Sequence, residues 1–152
     1  MYKRILVPLE HSPYDVAILE HVGKLARLCH ASVLLIHVAD GWAARNIDQL
    51  ELRESEEIHE DRDYLERTAK ALESEGLEVD AILAGGDPAS EIAEAARREG
   101  CDLIAMSTHG HRFLSDLFRG SVAEAVRHQC SIPVLLVRGS KTPKTIELRS
   151  AR

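Results

Sequence analysis

Two glycines, Gly110 and Gly120, stand with nine residues between them in the stretch Ser-Thr-His-Gly-His-Arg-Phe-Leu-Ser-Asp-Leu-Phe-Arg-Gly-Ser at 107–121. Without a Cβ, a glycine lets backbone N–H groups close on an anion, and Ser121 adds a hydroxyl where a helical pattern begins. Unpaired amides and the helix dipole favour negative charge there. The chemistry this suggests is a phosphate cradle, although the same glycines also serve where a chain only has to turn. Arg112 offers a planar fork of donors suited to a phosphate, and His109 a further donor on the phosphate side. An exposed arginine without a phosphate partner fits the same pattern.

His109 and His111, with His11 far upstream, raise the question of a metal, since imidazoles from converging loops can share one ion. No cysteine or carboxylate cluster accompanies them, so no metal ligand is assigned. Phosphoryl transfer needs a held metal, charge-neutralising groups and a positioned nucleophile or base. No G-x4-G-K-[S/T] loop and no Ser-His-Asp or Cys-His elbow supplies that set, so no catalytic residue is assigned. Binding rather than turnover is the expected act.

The elements that must hold this loop follow from hydrophobic patterning. Short apolar runs at 4–9, 32–38, 79–83, 102–106 and 133–137 mostly lack strict alternation, as expected of strands covered by helices on both faces. Helical patterns separate them. The first begins after Ser12-Pro13 and turns Ile18, Leu19, Val22, Leu25, Ala26 and Cys29 inward. The second runs from about 50 to 75 with Ile58, Leu65, Ala69 and Leu72 inward, and stops at Gly76; its other face is charged and solvated. The third opens at Asp87-Pro88, buries Ile92, Ala93 and Ala96, and ends at Gly100; the fourth starts near Gly120-Ser121. The order βαβαβαβαβ predicts a single-domain α/β fold: a doubly wound, five-stranded parallel sheet with helices on both faces. Ligands of such sheets bind beyond the carboxyl ends of the strands, where the strand order reverses. That brings Pro8, Leu9, Glu10, His11 and Ser12 after strand one to face Met106, Ser107 and the glycine loop after strand four.

Composition agrees with this architecture. The 152 residues are 45% hydrophobic, 29% charged and only 4% aromatic, so the core is aliphatic. A formal net charge of −6 argues against a general nucleic-acid binder. No run approaches the roughly 20 apolar residues of a membrane span, and Met-Tyr-Lys-Arg leads directly into a strand, so a cytoplasmic protein is expected. Cys29, Cys101 and Cys130 lie far apart in apolar patterns and read as reduced thiols. Residues 139–152 form a basic tail without a core pattern, mobile or docked on a partner chain.

The glycine loop and its flanks resemble the universal stress protein family of nucleotide-binding α/β domains, whose ATP-binding branch carries G-x2-G-x9-G-[S/T] between strand four and helix four. Gly110, nine residues and Gly120-Ser121 match the last three parts; Ser107 stands where the pattern has its first glycine. Lys-Arg-Ile-Leu-Val-Pro at 3–8 with Ser12, Gly85-Gly86-Asp87-Pro88, and Ser-Ile-Pro-Val-Leu-Leu-Val at 131–137 extend the likeness over about 2–138, the expected domain.

The resemblance implies strand order 3-2-1-4-5, the adenine nucleotide alpha hydrolase-like arrangement. It also implies adenine near Pro8, Leu9, Glu10 and the backbone at Val38, with ribose and phosphates at Gly110, Gly120, Ser121 and Val122. Glu10 replaces the family's usual Asp, and Ser107 either crowds the ligand or donates to it. The implied ligand is ATP, with ADP or AMP as alternatives and Mg²⁺ as a companion. A homodimer through strand 133–137 and an unidentified regulatory protein partner complete the expectation; a nucleotide-independent interaction protein and a slow ATPase are its rivals.

Overall fold

The computed structural model describes residues 1–40, 52–108 and 122–139. Its elements are β1 (Arg4–Pro8), α1 (Asp15–Cys29), β2 (Ser32–Asp40), α2 (Leu52–Ser74), β3 (Val79–Gly86), α3 (Pro88–Arg98), β4 (Leu103–Thr108), α4 (Val122–Gln129) and β5 (Val134–Arg138). The strands form one parallel sheet in the order β3-β2-β1-β4-β5, as the resemblance implies.

Strand alternation divides the core into two layers. Ile5, Val7, Val33, Leu35, Leu103 and Ala105 face one side, where they meet Ile18, Val22 and Ala26 of α1 and Leu65, Ala69 and Leu72 of α2. Leu6, Leu34, Ile36, Ile104 and Met106 face the other, against Ile92 and Ala96 of α3 and Val126 of α4. Burial on both faces is why these strands read as continuous apolar runs. Leu19, Leu25 and Cys29 are only half-buried at the edge of the first layer.

Local signals set most boundaries. Asp87 caps α3, accepting from the Ser90 amide at 3.0 Å with Pro88 directly behind it. Gly76 adopts φ +88 just beyond α2, the left-handed conformation that ends a helix cheaply only at glycine. The start of α1 differs from expectation. The helix begins at Asp15 rather than directly after Ser12: the Tyr14 amide bonds the Ser12 hydroxyl and the Asp15 amide the Ser12 carbonyl, so a turn over residues 12–15 precedes it. β3 runs on to Gly86, past the apolar run at 79–83, since its last three residues still pair with Val38, Ala39 and Asp40. All three cysteines are free thiols.

Candidate functional site

The topology creates a crevice between β1 and β4. β1 stays paired with β2 as far as Pro8↔Ile36, but its pairing with β4 ends at Leu6↔Ile104. From β1 the chain proceeds to β2 on one side, and from β3 it crosses to β4 on the other; this is the switch point at which doubly wound sheets receive ligands.

The loop from β1 into this crevice is built on a buried carboxylate. Asp15 is 1% exposed. Its Oδ1 accepts from the Glu10 amide at 3.0 Å, and its Oδ2 accepts from the His11 amide at 2.9 Å, the Ser12 amide at 3.3 Å and the Tyr64 hydroxyl at 2.7 Å. A carboxylate can accept several such bonds at once, which is how a buried charge becomes tolerable. The loop is thereby held with His11 at φ +59, a left-handed conformation that a non-glycine residue adopts only when its surroundings enforce it. Ser12 Oγ accepts from the Tyr14 amide and donates to Glu10 Oε2, both at 3.3 Å, so the Glu10 side chain folds back on its own loop.

Helix α2 packs against this loop from the β2 side. The Tyr64 ring stacks on His11 with centroids 4.1 Å apart and planes 16° from parallel. Burial, and after it the bond to Asp15, pushes the Tyr64 phenol well above the ordinary tyrosine range. One turn earlier, Asp61 holds two imidazoles: Oδ1 lies 2.7 Å from His11 Nδ1, and Oδ2 lies 3.2 Å from His37 Nε2. His37 Nδ1 in turn lies 2.8 Å from the Leu9 carbonyl oxygen, while the Leu9 amide continues the sheet by donating to Ile36 O at 2.8 Å. The Leu9 side chain is in the core, 3% exposed.

From β4, the side chains of Met106 and Ser107 leave on opposite faces. Met106 is buried in the layer that also contacts the half-buried Val38 and Val122, whereas Ser107 turns toward α1. Its Oγ donates to the Tyr14 carbonyl at 3.3 Å. Ser107 therefore neither projects freely into the crevice nor leaves its hydroxyl uncommitted. It fastens the end of β4 to the loop after β1. Gly139, beyond β5, closes over this junction with its amide on Thr108 O at 2.8 Å; a Cβ there would lie 2.9 Å from Ser107 Oγ.

The carboxyl edge thus collects Pro8, Leu9, Glu10, Ser12, Val38, Met106 and Ser107, all singled out from sequence. Val122 begins α4 on the Met106 side. His109, Gly110, Arg112, Gly120 and Ser121 lie outside the described residues. Among the described residues, no group of three or more His, Cys, Asp or Glu has the geometry to hold a metal ion.

Sequence reasoning missed Asp15, His37, Asp61 and Tyr64. Asp61 left a trace: the apolar stripe of α2 that includes Ile58 and Leu65 requires an inward residue between them, and Asp61 or Arg62 occupies that turn. A carboxylate interrupting a buried stripe signals a partner on the facing element.

Comparison with known proteins gives a consistent result. A model of the universal stress protein family matches residues 1–138. Universal stress protein MJ0577 of Methanocaldococcus jannaschii is 32% identical over 155 aligned residues, covering 91% of this chain and 96% of the relative. The solved structure of MJ0577 superposes with a TM-score of 0.76 at 33% identity, over 93% of this chain and 99% of that one. Two more distant proteins share the fold. A universal stress protein solved in complex with cAMP has a TM-score of 0.69 at 18% identity, with 91% and 98% coverage. One from Archaeoglobus fulgidus solved with dAMP has 0.65 at 21%, with 89% and 97% coverage.

Proposed function

Because the chain belongs to the universal stress protein family, we propose that it binds an adenine nucleotide, ATP in the first instance, in the crevice between β1 and β4. Binding rather than fast turnover is its role, and it acts as a dimeric stress-response regulator in the cytoplasm. The observation that carries this reading is the Ser107–Tyr14 bond, which joins the residue opening the glycine motif to the loop after β1. The motif Gly110-x9-Gly120-Ser121 then departs from the same edge that presents Glu10 and Val38. Two proteins of this fold have been solved with adenylates, which supports the choice of ligand at the level of fold. No described helix is long and apolar enough to cross a membrane.

Adenine would rest by Pro8, Leu9, Glu10 and Val38, with Ser12 and Met106 lining the entrance. Ribose and phosphates, with Mg²⁺ as their companion, would reach Ser107, His109, Gly110, Arg112, Gly120, Ser121 and Val122. Occupancy stabilises the fold by mass action and gives a regulatory partner a state to read. Strand β5 pairs two copies across a two-fold axis.

Nucleotide extracted from the denatured protein, together with a rise in Tm on adding ATP, tests the reading. Gly120→Val should weaken that rise, since the new side chain fills phosphate space while the dimer persists. A purified protein that carries no nucleotide and melts unchanged with ATP, ADP and AMP overturns it. A nucleotide-independent interaction protein then stands instead, the reading favoured by Ser107 in place of glycine and Glu10 in place of Asp. Product release with Mg²⁺ above the buffer rate would support the slow ATPase.

A further inference from the structure

The Asp61 carboxylate reaches from α2 to two elements at once: His11 in the loop after β1 and His37 in β2. We propose that Asp61 is a positioning residue for ligand binding, a clasp from α2 that holds the β1–α1 loop in its binding conformation and thereby couples occupancy of the crevice to the docking of α2. The inference rests on the nucleotide-binding reading above.

Geometry supports it from three directions. The loop is strained at His11, and strain of this kind survives only where surrounding contacts over-determine the backbone. Those contacts are the Asp15 carboxylate on the His11 amide, the Tyr64 ring against the imidazole and Asp61 on Nδ1; the last two come from α2. His37, only 13% exposed at its side chain, bridges Asp61 to the Leu9 carbonyl, so the same carboxylate also grips the end of β1 through β2. Tyr64 lies three residues beyond Asp61 on the same helix, and its hydroxyl reaches Asp15. Helix α2 therefore cannot shift along its axis without releasing His11, His37 and Asp15 together. Any ligand that prefers the held loop must, by linkage, tighten α2 onto the sheet, and the outer face of that long helix becomes the surface on which occupancy is displayed.

The test uses the full chain with amide hydrogen exchange and ATP titration. In unliganded protein, Asp61→Ala should speed exchange at Glu10, His11 and Ser12 by about tenfold, the order expected for losing charged hydrogen bonds. It should weaken ATP binding by a similar factor, with Asp61→Asn intermediate because one acceptor oxygen remains. ATP should slow exchange across residues 56–64 in the wild type and not in Asp61→Ala.

His37→Phe added to Asp61→Ala should cost no more than Asp61→Ala alone, as for residues acting as one unit. The exposed Asp63, whose Oδ2 lies 3.7 Å from His59 Nε2 one turn earlier on its own helix, is the control, and Asp63→Ala should leave all readouts unchanged. Unchanged loop exchange in Asp61→Ala overturns the clasp. Wild-type ATP binding with equal affinity in Asp61→Ala overturns the coupling while leaving the functional reading intact. A wild type that binds no adenine nucleotide overturns that reading and the coupling with it, and loop exchange still decides the clasp.

Discussion

The Tyr64 hydroxyl donates to Asp15 Oδ2 at 2.7 Å, joining two residues 49 positions apart and closing the long helix over the loop after the first strand. Three loop amides converge on the same carboxylate. Removing Asp15 therefore does more than delete a charge, because it leaves three donors and a hydroxyl without their acceptor in a buried place. Asp15→Ala should destabilise the protein by about 3 kcal/mol, and Asp15→Asn nearly as much, since its NH₂ group would face donors rather than accept from them. Tyr64→Phe removes one donor and should cost about 1–2 kcal/mol. Urea unfolding of the three variants measures this; a loss of only a few tenths for Asp15→Ala would show that the loop does not depend on its carboxylate.

The same pair sets an alkaline limit. Burial and Asp15 raise the Tyr64 phenol above its ordinary value of 10.0, so the folded protein holds this proton more tightly than the unfolded chain does. The stability so contributed is fully present below pH about 10 and is lost as the pH rises through the raised folded value. In ultraviolet titration of phenolate formation, one of the three tyrosines should ionise late and in step with unfolding. Tyr64→Phe should abolish that late step.

The sheet was legible in sequence because parallel strands buried on both faces leave apolar runs, and because caps such as Asp87-Pro88 and stops such as Gly76 are written in adjacent residues. β3 extends past Leu83 because Ala84, Gly85 and Gly86 pair through their backbone, which side-chain pattern does not record. Glu10, Ser12 and Ser107 could be singled out because topology alone sends the ends of β1 and β4 to one crevice. The partners that hold them could not. His37 and Asp61 are 24 residues apart in sequence, and Asp15 and Tyr64 are further apart still, so their meeting depends on how α2 crosses the sheet. Ser107 was ambiguous for the same reason: whether its hydroxyl meets a ligand or the protein depends on Tyr14, 93 residues away.

Ser107 and Gly139 form a tight pair at the end of β4. A Cβ on residue 139 would lie 2.9 Å from Ser107 Oγ, 2.9 Å from Tyr14 Cδ1 and 3.0 Å from Tyr14 Cβ. Gly139→Ala should therefore cost about 1–3 kcal/mol through overpacking. Ser107→Gly alone forfeits the bond to Tyr14 O, worth about 1 kcal/mol. In the Gly139→Ala background the same change should be nearly neutral or stabilising, because it also removes one of the colliding atoms. A double-mutant cycle by urea unfolding measures the coupling; strictly additive losses would mean that the two positions do not touch.

Among the described residues, strand β5 lies at the sheet edge and pairs only with β4, and Leu136 on it is 47% exposed. An edge strand presents unpaired N–H and C=O groups, and an apolar side chain beside them favours a second strand over water. If two copies meet there, a charge at residue 136 must be desolvated twice at the two-fold axis, once from each chain. Leu136→Lys should thus convert the dimer to monomer in sedimentation velocity. Because Leu136 is already half in water, the monomer should keep its fold by circular dichroism. A wild type that sediments as a monomer, or a Leu136→Lys variant that remains a dimer, removes β5 as the pairing surface.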